Sequence, residues 1–537
     1  MRRLQHSRYG ALARRVLILG FFIVGVTAAL SAAQAADETL TVGMMAEVEG
    51  MDCTKNSSGL AGDFPKLLVF ERLTDVLPSG ELQPLLATSW EVSEDGLTWT
   101  FYLREGVVFH DGTPFDAEVV KANVDRWLDP NVRFQRLRHF GPLTGAEVVD
   151  TYTIKLLTSA PFPILARVLS DGGAGMHNPE EIDAWGEDLG IYEPTGTGPY
   201  RIIEHMPRQM VRYERWNGYW GEPGEAKELV IRTIPDDYSR LAMLSTGEID
   251  VNLYVPMPLR EAVEADPNFK LLSSPSSRLY TIHLNHLKAE YADIRVREAL
   301  NLAVDRELII DSIYGGFALP ARSMLSEGVT GWEPVAEFVY DPARAQSLLE
   351  QAGWLLGQDG FLYKDGERFT ATLIATKGGY PMDDQLAQAV GEYFRAIGID
   401  VAIRTPGTYG AIREITIADP EARETNEMVQ YCFGAAHGDP SSMIRTYTTE
   451  AWSPAGINSS FYTNTEYDQL AAEQAATFDP VERDRILAQL QQIVVDDYAV
   501  VFLLQPSFLV GLRQNVEGFV PHPMEYHRIT KLTRVEE

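Results

Sequence analysis

Two pairs of residues have the types and spacing that could do covalent or metal chemistry. Cys432 and His437 stand five positions apart in YCFGAAHGDPSSM, residues 431–443. A thiol acts as a nucleophile only with an imidazole beside it and a third group to orient that imidazole. Spacing establishes neither, and the Gly-Ala-Ala spacer serves equally as a packed turn. His283 and His286 (HLNH) have a metal-like spacing. In the strand expected there, residues i and i+3 point to opposite faces, so the two do not share a ligand shell. The chain has no G-x-S-x-G elbow, H-E-x-x-H helix, phosphate-cradling P-loop or helix-opening G-x-G-x-x-G. Catalysis is the weaker class, so no catalytic residue, metal site or cofactor is expected.

The chain of 537 residues begins as an exported protein does. Arg2, Arg3, Arg8, Arg14 and Arg15 form a basic stretch, VLILGFFIVGVTAAL (16–30) an apolar one, and Ala33-Gln34-Ala35 a small-x-small cleavage site. This reads as a signal peptide over 1–35, too short in its apolar part for a span of ~20 residues. With net charge −30, the chain repels nucleic acid and anionic lipid. Cys53 and Cys432 are its only cysteines, so it is no disulfide scaffold, and no bridge between them is expected.

The elements that would position a site are mixed. Leu97, Trp99, Phe101 and Leu103 alternate with polar or hydroxylated residues, a strand with one buried face. Asp111-Gly112 is a tight-turn signal, and TYTIKLL (151–157) is another β-rich run. Together they predict a strand-rich region over about 80–190. Further on, Asp341-Pro342 and Asp479-Pro480 are helix starts, and Gly353 and Gly398 are stops. A helix is predicted over 383–397, followed by strands at 399–404 and 500–506. Alternation of helix and strand implies α/β layers.

The segment 82–127 (LQPLLATSWEVSEDG…NVDRW), TGTGPY (195–200), RWNGYWG (215–221), STGEIDV (245–251), IRVREALNLAVDRELI (294–309) and DPARAQSLLEQAGW (341–354) appear in order along the chain. In these motifs the sequence resembles the extracellular solute-binding proteins of bacterial ABC transporters, family 5, relatives of the dipeptide-, oligopeptide- and nickel-binding proteins. The resemblance implies an α/β fold like that of periplasmic binding proteins of cluster C type: three domains in two lobes, with a ligand cleft between them. Domain I would comprise 36–80, 193–288 and 505–537, domain II the β-rich insertion 81–192, and domain III the α/β lobe 289–504. It also implies a periplasmic monomer of a Gram-negative cell, not an enzyme, that captures a small solute by lobe closure and hands it to an inner-membrane permease.

Among peptide binders of this family, an aspartate three residues before the Asp-Pro pairs with the peptide amine. Asp439-Pro440 set that register, and Ala436 stands there instead. The helical arginine that would meet the carboxylate is replaced by Asp384 and Gln385. A buried charge needs its partner, so these losses argue against free dipeptides. Ser441 stands where the nickel-binding branch keeps a histidine. CTKNSSG (53–59) offers Thr54, Lys55, Asn56, Ser57 and Ser58 to a polar or anionic solute. Tyr431 and Phe433 could stack on a ring, and Gly434 and Ala436 leave room. With Cys432, His437, Asp439 and Tyr254 they complete the candidate site. A sugar-like, opine-like or phosphorylated solute is expected first, and a peptide second. Arg133, Arg136, Arg138 and His139 are read as a solvated basic face.

Overall fold

The last long strand, Val500–Arg513, is apolar on both faces and buried along almost its whole length. Such a strand belongs in the middle of a covered sheet, not at an edge. In the computed structural model it does so twice over. The structure describes residues 39–46, 48, 50–55, 63–134, 136–407, 409–419 and 421–535. The expected export segment and Asn56, Ser57 and Ser58 lie outside the described residues.

The first half of the strand pairs with Arg278–Leu284, which continues to Met428–Gly434, Thr370–Thr376 and Asp400–Gly407. Its second half pairs with Phe269–Pro275 and Val251–Asn252, which leads to Thr39–Met44, Glu228–Thr233, Met210–Arg215 and Tyr200–Met206. The strand was expected to end at Pro506. It runs on because the partner changes near this proline, where a missing N–H costs least. Arg278–Leu284, within 193–288 of the expected division, pairs into the sheet of the α/β lobe.

The strand-rich region forms its own sheet, ordered Ala87–Val92, Thr98–Leu103, Thr153–Thr158, Leu143–Asp150. Trp99, Phe101 and Leu103 are buried on one face, as the alternation predicts. They pack with helix Ala117–Leu128, whose N-terminal N–H groups are capped by Asp116. In the α/β lobe, the helices Pro342–Gln351 and Pro480–Asp496 start at the caps Asp341 and Asp479. Asp383–Ala396 ends before Gly398, which adopts φ +94°. No helix among the described residues is long and apolar enough to cross a membrane.

Candidate functional site

Where the two joined sheets meet, the strand Arg278–Leu284 begins with a cation. The Arg278 guanidinium donates to Glu525 Oε1 at 3.2 and 3.3 Å, from Nη2 and Nε. Glu525 lies in the C-terminal segment beyond Val500–Arg513 and sits at φ +66°. Burial alone would lower the Arg278 pKa, but the Glu525 carboxylate, together with Tyr380 and Cys432, holds the guanidinium above its ordinary value. The Arg278 and Glu525 side chains remain 26% and 13% exposed. The guanidinium also lies 5.3 Å from the centre of the Tyr380 ring, a cation–π distance.

Tyr380 is presented by a tightly held turn. The Asp383 carboxylate accepts the N–H groups of Gly378, Gly379 and Tyr380 at 3.0, 2.9 and 3.1 Å. The Pro381 carbonyl accepts the hydroxyls of Tyr280 and Tyr314 at 2.9 and 3.1 Å. Gln430 donates to the Asp383 carbonyl at 2.8 Å. These bonds hold the turn, and the ring it carries, in one place.

The sequence-derived candidates divide around this centre. Tyr254 and Cys432 lie within electrostatic reach of Asp383 and Glu525. Gly434 is the register partner of Arg278, and a Cβ there would fall 2.8 Å from Arg278 Cγ. The space its small size leaves is taken by that arginine. Tyr431 is a correction as a stacking surface: it is 2% exposed, and its hydroxyl meets Thr416 Oγ1 at 2.5 Å. Phe433 stacks on it at 4.7 Å between ring centres, with Ile412 and Ile417 in the same apolar cluster. Asp439 is likewise committed to the fold. It is held by Arg483 at 2.8 and 3.1 Å and by the Ser441 N–H at 2.9 Å. Burial alone would raise its carboxyl, yet Arg483 keeps it below the usual carboxylate range. Arg483 also lines a cavity of about 380 Å³ between Phe162 and Ile164 of the β-rich domain and Ile444, Arg445 and Ala471 of the α/β lobe.

Thr54 donates to Asp52 Oδ1 at 2.8 Å, and Asp52 forms a two-pronged buried pair with Arg126 at 3.0 and 2.7 Å. Thr54 is thus occupied within the fold. Lys55 donates to the Val132 carbonyl at 2.7 Å and lines a second cavity, of about 500 Å³, with Asn131, Arg133 and Glu187. Ala436 opens the tight turn Ala436–Gly438, and His437 is buried at its centre. Arg136 corrects the reading of a solvated basic face: it is 4% exposed and paired with Asp63 and Asp171.

Nucleophilic chemistry is disfavoured. Burial pushes the Cys432 thiol up to about 12, so the thiolate is not available near neutrality. Cys53 is raised to about 12 for the same reason, and the two cysteines are not bridged. His283 contacts Ser459 Oγ and His286 the Ala499 carbonyl, so HLNH is divided between separate partners. Arg278, Tyr380 and Glu525 escaped sequence reasoning. Gly-Gly-Tyr-Pro before a helix is the one local signal that marked the turn.

The Arg278–Glu525 pair and the turn that presents Tyr380 thus lie together where the two sheets join. The family model for bacterial extracellular solute-binding proteins, family 5, matches residues 81–455, and the chain belongs to that family. Glutathione-binding protein GsiB of Escherichia coli K12 is 29% identical over 443 residues, 82% of this chain and 83% of that protein. HbpA2 from Haemophilus parasuis superposes with a TM-score of 0.80 at 24% identity, over 93% of this chain and all of that one. DppA from Helicobacter pylori, in complex with the peptide STSA, gives 0.72 at 24% identity, over 92% and 98%. Proteins of this family are the periplasmic solute-binding components of ABC importers.

Proposed function

We propose that this chain captures a short peptide or peptide-like amino-acid conjugate, and delivers it to an inner-membrane permease. The observation that carries the reading is the Arg278–Glu525 pair beside Tyr380. A zwitterionic ligand has one charge for each member: its carboxylate replaces Glu525 at Arg278, and its amine replaces Arg278 at Glu525. Exchange of partners leaves no buried charge unpaired. Ala436 then needs no aspartate, because Glu525 meets the amine. The name of the glutathione-binding relative supports a peptide-like ligand. A sugar-like or phosphorylated solute, expected first from sequence, has no such support.

Thermal shift with glutathione, tri- and tetrapeptides, opines and sugar phosphates tests the reading. Stabilisation should grow with the concentration of a peptide-like compound as RT ln(1 + [L]/Kd). Arg278→Gln should weaken that compound at least about tenfold, the loss of a charge-assisted contact. Stabilisation by sugar phosphates alone would overturn the proposal.

A further inference from the structure

Away from Arg278, three side chains from two lobes converge. His139 lies in the short helix Leu137–Phe140 of the β-rich domain. Asp171 caps the turn Gly172–Ala174 of the same domain. His437 comes from the α/β lobe. Asp171 Oδ2 lies 3.4 Å from His139 Nδ1 and 3.4 Å from His437 Nε2. The three donor atoms all lie within 4.8 Å of one another.

These distances are long for hydrogen bonds, whose ordinary N···O range ends near ~3.2 Å. Neither ring nitrogen of His437 has a hydrogen-bond partner among the described residues, although the residue is only 5% exposed. A buried imidazole without partners gives up its hydrogen bonds to water and gains none in exchange. The backbone there is also strained: His437 stands at φ +55°, in the left-handed region. The lobes hold this loop firmly, with Arg167 donating to the His437 carbonyl at 3.1 Å. Two atoms bound to one tetrahedral ion at ~2.0–2.1 Å stand about 3.4 Å apart. That is the separation found on both sides of Asp171 Oδ2.

We propose that His139, Asp171 and His437 form a binding site for a borderline divalent cation of the zinc or nickel type, joining the two lobes. Two imidazoles and one carboxylate suit such ions better than magnesium or calcium, which prefer oxygen. Asp171 divides its labour: Oδ1 takes Arg136 and the Gly173 N–H, leaving Oδ2 toward the histidines. Arg136 is in turn shared with Asp63. Because the donors come from both lobes, the ion binds their closed arrangement. By linkage, ion and solute then tighten each other's binding.

Calorimetric titration of the chelator-stripped full-length protein with zinc or nickel chloride tests this. One ion per chain is expected. His437→Asn, which tolerates the left-handed backbone, and His139→Gln should each weaken it at least tenfold while both variants melt cooperatively. The ion should also tighten the best solute from the thermal-shift panel in the parent protein, and not in the variants. No saturable binding below about 100 μM, or unchanged affinity in both variants, would overturn the site. Arg278→Gln should leave ion binding intact, which separates failure of this site from failure of the peptide reading.

Discussion

Asp439 shows how a single residue was half legible. Its proline neighbour marked a turn, and the turn is there. Its partner Arg483 lies on another helix, Pro480–Asp496, and nothing local links the two. Removing one member of a buried pair leaves the other charge uncompensated. Asp439→Asn should therefore lower unfolding free energy by about 3 kcal/mol, read from the urea midpoint at constant slope. An unchanged midpoint would show that Arg483 finds another partner at no cost. The same limit hid Arg278. In sequence it is one more arginine at a strand start, and only the register with Gly434 and the distant Glu525 give it a role.

Elements were read better than residues, because caps, stops and alternation are local. Asp341, Asp479, Gly398 and the Trp99–Leu103 alternation all act within one element, and each stands as expected. TGTGPY could be read as turn glycines, but not what they approach. A Cβ on Gly196 would lie 2.0 Å from the Val69 carbonyl oxygen, and one on Gly198 2.5 Å from that of Leu68. The motif lets the segment 195–200 lie directly on the backbone of Leu68 and Val69. Gly196→Ala should destabilise by at least about 2 kcal/mol, seen as a lower thermal midpoint, because backbone cannot move aside as a side chain can. A wild-type midpoint would mean that the two segments separate freely.

At the scale of the molecule, buried imidazoles set the response to acid. His177 Nε2 accepts the Cys53 N–H, His527 Nδ1 that of His522, and His522 Nδ1 that of Met524. Burial lowers these three to about 3, 3 and 4. The unfolded chain takes up these protons near pH 6.5, where the fold does not. Protons thus favour unfolding, and stability should fall as pH drops from about 6.5 towards 4. Burial raises Glu71 to about 7 despite donors from Trp220, Tyr219 and Thr197, which acts in the opposite sense. Glu181, also raised to about 7 by burial, acts with Glu71, but two carboxyls do not outweigh the three acceptor histidines, so calorimetry should give a lower midpoint at pH 4.5 than at pH 6.5. A higher midpoint at pH 4.5 would assign control to the two carboxyls. Sequence shows which residues can titrate, but burial, which decides their sign, is set by distant contacts.

One consequence reaches back to synthesis. Both large sheets depend on Val500–Arg513, and that strand follows in the chain every strand it joins. Until it emerges from the ribosome, each lobe lacks its central strand, and nearly all its pairing is between residues far apart in sequence. Neither large sheet can close before this strand is made, whereas the separate four-stranded sheet of the strand-rich region does not include it. For a protein of a periplasmic family, that delay leaves a threadable polymer for as long as passage through a membrane requires one.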